Sequence, residues 1–270
     1  MLINGVPGDK IDIHDRGLLY GDGVFRTLRI EHGRPLHWWR HYRKLQHDCS
    51  ILALPCPGIE VLASELQQLA TRRQQGIAKI MVTRGSGERG YAPPAAVVPT
   101  RILTIAASPR FPDAYRTEGV KVRLCDLRLS HQPRLAGIKH LNRLENVLAS
   151  AEWSDEEIAE GLLLDMCGHV VEGTRSNLFL VRNGSLLTPD LSNCGVDGVQ
   201  RERVMEWAAQ HDVACQSVHC TLDDVLAADE VFLVNSVIGL WPVCQLQQRN
   251  WAQHPVSRRI AEWLDHAAAD

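Results

Sequence analysis

The chain has no CxxC pair, no excess of basic residues, no internal repeat and no low-complexity tract. Each absence removes a class of protein. Formal charge is −3, and a nucleic-acid binder would need a basic field. The longest apolar runs reach about half of the ~20 residues that span a bilayer. The opening MLINGVPGDKIDIHDRG has no basic region followed by an apolar stretch, so no secretory leader is visible and a cytoplasmic location is expected. Eight cysteines are scattered without framework spacing, several inside apolar segments, and read as reduced thiols. Cys215, His219 and Cys220 could form a zinc site on paper, but they crowd into one strand-like stretch, so no metal centre is expected.

What is present is ordinary globular material: 270 residues, 45% hydrophobic and 23% charged. Met1–Ile3 and Val24–Ile30 read as strands, with Asn4-Gly5 a turn. Leu36–Leu54 and Ile59–Arg73 carry helical spacing, the first stopped by Pro55 and Pro57-Gly58. Ala78–Thr83 and Arg101–Ala107 are strand-like, separated by the Gly- and Pro-rich loop RGSGERGYAPPAAVVPT. SPRFPDAYRTEG (108–119) lacks periodicity and reads as an interdomain linker. Beyond it, Val120–Leu129 is a strand and Asn142–Trp153 a helix. Hairpins are expected around Cys167-Gly168 and Asn183-Gly184. Gly198–Gln210, Leu222–Ala227 and Ser257–Ala267 read as helices; Val213–Val218 and Glu230–Val234 read as strands. The fold class is α/β (α+β) in two domains, a small one over 1–107 and a larger one over 120–270 that carries Lys139.

Four stretches could carry chemistry. In RLAGIKHLNRLENVL (134–148), Lys139 is either a plain helix-start cation or an amine held inward as a nucleophile toward carbonyls. In HVVEGTRSNLFLV (169–181), Glu172 ends a strand; it is a solvated turn residue or a partner for the ring nitrogen of a pyridine cofactor. In NCGVDGVQRERV (193–204), glycines lead into a helix whose N-terminus suits an anion, and Asn235-Ser236 offers a further hydroxyl and N–H. In HYRKLQHDC (41–49), Arg43 is a surface arginine or a phosphate clamp. An amine, a pyridinium partner, an anion cradle and an arginine together are the equipment of a pyridoxal 5'-phosphate (PLP) enzyme.

At that point the chain resembles the fold-type IV PLP family, which holds branched-chain aminotransferases, D-amino-acid aminotransferases and aminodeoxychorismate lyases. The resemblance runs through LINGVP, YGDGVFRTLR, HYRKL, GIKHLNRLENVLA, VVEGTRSNLFLV, GVDGVQRERV and DEVFLVNSVIGLWPV, in the family's order. RGSGERGY, LAGIKHLNRLENVL and the short chain are most similar to the lyase branch. The resemblance implies a cofactor cleft between two domains and a homodimer. It implies Lys139 in Schiff-base linkage to PLP, Glu172 at the pyridine nitrogen, and Arg43, Val199, Gln200 and Ser236 around the phosphate. Tyr20, Phe25, Arg26, Arg84, Arg89 and Tyr91 are candidates for binding a dicarboxylate substrate, aminodeoxychorismate, in a folate-forming step. The competing readings are an aminotransferase of the same fold and a PLP-free binding protein, the latter disfavoured by Lys139 and Glu172 occurring together.

Overall fold

The structure, a computed structural model, describes residues 1–266. Its described residues separate into two units, one of Met1–Pro109 with Ile138–Asn142, the other of Arg110–Gly137 with residues 143–266.

The first unit contains β1 (Leu2–Ile3), β2 (Val6–Pro7), α1 (Arg16–Tyr20), β3 (Gly23–Glu31), β4 (Arg34–Pro35), α2 (Trp38–Ile51), α3 (Ile59–Ala70), β5 (Gly76–Thr83) and β6 (Thr100–Ala106). Its six-stranded sheet is antiparallel throughout, in the order β2-β1-β6-β5-β3-β4. Asn4 and Gly5 both take positive φ, so this dipeptide makes the tight reversal between β1 and β2. Strand β3 alternates strictly, burying Val24, Arg26, Leu28 and Ile30. Leu45, Leu62 and Leu66 from the two long helices close the core against that face. Helix α2 starts later than its apolar pattern suggests because His37 sits in the left-handed region, and it ends before Ala53, which does the same.

The second unit contains α4 (Ala114–Thr117), β7 (Val120–Leu129), α5 (Leu144–Ser150), β8 (Ile158–Asp165), β9 (Val170–Gly173), β10 (Asn177–Arg182), β11 (Ser185–Pro189), α6 (Val199–Gln210), β12 (Cys215–Val218), α7 (Leu222–Leu226), β13 (Glu230–Asn235), β14 (Gly239–Leu246), β15 (Arg249–Asn250) and α8 (Pro255–His266). The nine-stranded sheet runs β12-β11-β10-β13-β14-β7-β8-β9, with β15 on β14. The β14–β7, β7–β8 and β11–β12 pairs are parallel. Asn183-Gly184 reverses β10 into β11 with both residues at positive φ. Strand β14 lies in the middle of this sheet yet is invisible to a strand pattern, because Pro242 interrupts it. The stretch 108–119 read as a linker holds α4, whose Tyr115 meets the buried Trp241 ring edge-on at 5.0 Å. The last expected helical residue, Ala267, lies outside the described residues. Among the described residues, no helix is long and apolar enough to cross a membrane.

Residues Ile138–Asn142, expected in the C-terminal domain, belong to the N-terminal unit. The reason is a strand-like pairing: Phe25 N–H donates to Lys139 O and Leu141 N–H to Gly23 O, each at 2.9 Å. Gly23 permits the approach, since a Cβ there would lie 2.8 Å from Leu141 Cδ1.

Candidate active site

Lys139 is not at a helix start; α5 begins at Leu144, and Lys139 lies in the extended stretch held on β3. Its backbone N–H donates to Asp48 Oδ2 at 3.3 Å, and its Nζ stands 4.8 Å from the centroid of the Phe25 ring. Asp48, on α2, also pairs with Arg26 of β3. Both side chains are buried, and burial raises the Asp48 carboxyl above its usual range despite the attraction of Arg26. His41 and Lys44 are buried on the same helix. Burial drives the His41 imidazole well below its usual pKa, and the positive charge of Arg26 and Lys44 adds to this. Near the Lys139 backbone the N-terminal unit places the buried carboxylate Asp48, with the buried cations Arg26 and Lys44 close to His41 of the helix that carries Asp48. Such an environment suits an anionic ligand.

Arg43 is exposed, whereas Lys44 is buried with His41, Leu45 and Asp48 at helical spacing. That spacing was the available signal for Lys44 and Asp48, and the preference for Arg as a phosphate clamp obscured it. Arg84 is buried and fully engaged: its Nε donates to Asp22 Oδ2 at 2.7 Å, and its terminal nitrogens donate to Leu52 O and Ala53 O. Arg16, not singled out by sequence, shares Asp22 and donates to Gly90 O and Tyr91 O, each at 2.8 Å. These two arginines anchor the loop over 84–99. Burial opposes ionisation of Asp22, but the hydrogen bonds from Arg84 and Arg16 prevail and hold its carboxyl below the usual range. Tyr20 packs on Tyr91, with ring centroids 5.4 Å apart, and Tyr20 Oη accepts from Gly90 N. Arg89 and Tyr91 are exposed.

In the C-terminal unit Glu172 is buried near the end of β9, where Oε2 accepts from Val196 N at 2.9 Å. The following turn is fixed by the buried Glu160 carboxylate, which accepts from Thr174 N at 3.2 Å and Ser176 Oγ at 2.9 Å. Gly195, at positive φ, stands over Glu172: a Cβ there would come within 2.9 Å of Val171 Cγ1 and 3.5 Å of Glu172 Oε2. Val199 and Gln200 are the first, buried residues of α6, behind an N-cap at Gly198 without a side-chain cap. Asn177 Nδ2 secures the turn before that helix through Val196 O at 2.7 Å. Ser236 follows β13 and is half-buried. The C-terminal unit thus sets a buried carboxylate beside a glycine and a helix N-terminus, donors of the kinds that suit a pyridine nitrogen and a phosphate.

A family model described as amino-transferase class IV matches residues 23–246. The chain therefore belongs to the class IV aminotransferase family, and the resemblance read from its motifs holds. Among its relatives, the chain is 35% identical over 241 residues to the aminodeoxychorismate lyase of Vibrio harveyi, covering 89% of each. It is 43% identical to the solved 4-amino-4-deoxychorismate lyase of Pseudomonas aeruginosa, with a TM-score of 0.95, covering 100% of this chain and 99% of the other. The D-alanine aminotransferase of Bacillus licheniformis is 26% identical over 264 residues, covering 95% of this chain and 91% of the relative.

Proposed function

We propose that the chain is a PLP-dependent lyase that converts 4-amino-4-deoxychorismate into 4-aminobenzoate and pyruvate. The observation that carries this reading is the end-to-end similarity to the Pseudomonas lyase at 43% identity. The aminotransferase relatives compared with it are more distant, at 31% and 26% identity.

When bound, PLP supplies an electron sink for the carbon that bears the substrate's amino group. Lys139 is the residue assigned to hold it, and its freed amine is the base that takes the proton from that carbon. The same amine then delivers a proton to the departing enolpyruvyl oxygen, the carbon–oxygen bond breaks and the ring becomes aromatic. Atoms balance without an oxidant or a second substrate. Glu172 is assigned to keep the pyridine nitrogen protonated, and its bond from Val196 N orients it for that task. For the phosphate, the assigned groups are the α6 N-terminus at Val199 and Gln200, Ser236, and an α2 cation. Burial favours Lys44 over the exposed Arg43 for that cation. Tyr20, Phe25, Arg89 and Tyr91 remain substrate-side candidates, whereas Arg84 is engaged in anchoring the loop and Arg26 is buried in its pair with Asp48. We further assign the enzyme to folate formation in the cytoplasm and to a homodimeric state.

The test supplies purified holoenzyme with aminodeoxychorismate made in situ. Equal amounts of 4-aminobenzoate and pyruvate are expected. Amino transfer to 2-oxoglutarate with no 4-aminobenzoate would reassign the chain to the aminotransferases.

A further inference from the structure

We infer that the reversal between β8 and β9 is a binding site for a borderline divalent metal ion of the Zn²⁺ or Co²⁺ kind, built from His131, Asp165 and Cys167 with His169 beside them. Potential ligand atoms of the first three all lie within 4.8 Å of one another. Sequence spacing pointed away from this place: it drew attention to Cys215, His219 and Cys220, whereas His131 reaches Asp165 from the loop after β7.

The geometry is specific. Asp165 ends β8 and is buried, and its Oδ1 accepts from Cys167 N at 2.9 Å and His169 N at 2.8 Å. Those bonds, with Gly168 at positive φ, wrap the turn around the carboxylate. Its other oxygen is approached by two imidazoles, His131 Nε2 at 3.0 Å and His169 Nδ1 at 3.3 Å. A tetrahedral ion with arms of about 2.0–2.1 Å to nitrogen and oxygen has ligand–ligand edges of about 3.3–3.4 Å. The imidazole–carboxylate spacings therefore already approximate two edges of such a polyhedron. Cys167 is exposed at the tip of the turn, so its thiol can swing to the ion without disturbing the core. Mixed nitrogen, oxygen and thiolate donors select zinc-like ions over Mg²⁺ or Ca²⁺. The ring of His219 stacks on His169 at 4.8 Å, fixing that imidazole's orientation. A hydrogen-bonded turn alone would explain Asp165, but not the convergence of a thiol and two imidazoles on it.

The experiment titrates CoCl₂ and ZnCl₂ into the full-length holoenzyme at neutral pH, by calorimetry and by cobalt difference spectra. One ion per chain is expected, with visible bands of four-coordinate cobalt and a thiolate charge-transfer band. Cys167→Ser should abolish the charge-transfer band, and His131→Ala should weaken binding by at least the 10–100-fold, roughly, that loss of an outer partner causes. Both side chains are partly or largely exposed, so circular dichroism should confirm that the variants fold. The inference is overturned by a lack of stoichiometric uptake, or by uptake that Cys167→Ser and His131→Ala together leave unchanged.

Discussion

Asp48→Ala is the perturbation that separates holding Lys139 in place from merely filling the core. Asp48 and Arg26 are 0% and 3% exposed, so removing the carboxylate strands a guanidinium away from water. Breaking a buried pair in this way costs about 3–5 kcal/mol, a large part of the roughly 5–15 kcal/mol that keeps a domain folded. As a rule, a buried ion pair stabilises no more than a well-packed apolar pair of similar volume. The Asp48 carboxyl is raised above 3.8 because burial outweighs the attraction of Arg26. A raised carboxyl favours folding most below pH 3.8 and progressively less as pH rises through its folded value, so at neutral pH the ionised group opposes folding. The double variant Arg26→Met/Asp48→Leu should therefore recover wild-type stability or exceed it by about 1–4 kcal/mol. Its PLP affinity should stay impaired, because the anchor on the Lys139 backbone N–H is gone. Urea unfolding of the apoprotein measures the first effect without the stabilisation that bound cofactor adds, and PLP titration measures the second. A single variant that loses less than about 1 kcal/mol, or a double variant no better than the single, would refute the reasoning.

Glu172→Ala should retain PLP yet lose turnover by about 100-fold or more, the scale of one electrostatic stabiliser, in steady-state assays; near-normal turnover would remove its assigned task. Arg43→Ala and Lys44→Ala, compared by PLP titration, should differ, with only the buried Lys44 weakening retention; the reverse order would return the phosphate contact to Arg43. His41 is held neutral in the fold by burial, then by the charge of Arg26. Its contribution to stability is complete above about pH 6.5 and falls by up to about 1.4 kcal/mol per pH unit below that. Urea midpoints of wild type and His41→Gln should converge on acidification, and a pH-independent difference would contradict this.

Much of the scaffold was legible because its signals are local. Asn4-Gly5 and Asn183-Gly184 mark reversals that need positive φ at both positions, and β3 alternates residue by residue. Strand β14 was hidden by Pro242, a residue that normally argues against a central strand. Lys139 was legible as a residue but not in its setting: its pairing with Phe25 joins positions more than a hundred apart, and no periodicity encodes such a partner. The anchoring of Arg84 was concealed in the same way, since its acceptors are the backbone carbonyls of Leu52 and Ala53 and the carboxylate of Asp22. The family motifs identified the chemistry more sharply than any single stretch, because their order along the chain is itself a constraint.

The most direct test is chemical attachment. Borohydride reduction of the yellow holoenzyme, followed by digestion and mass spectrometry, should place the reduced cofactor on the peptide that contains Lys139. Label on Lys44, or on no peptide at all, would contradict the account.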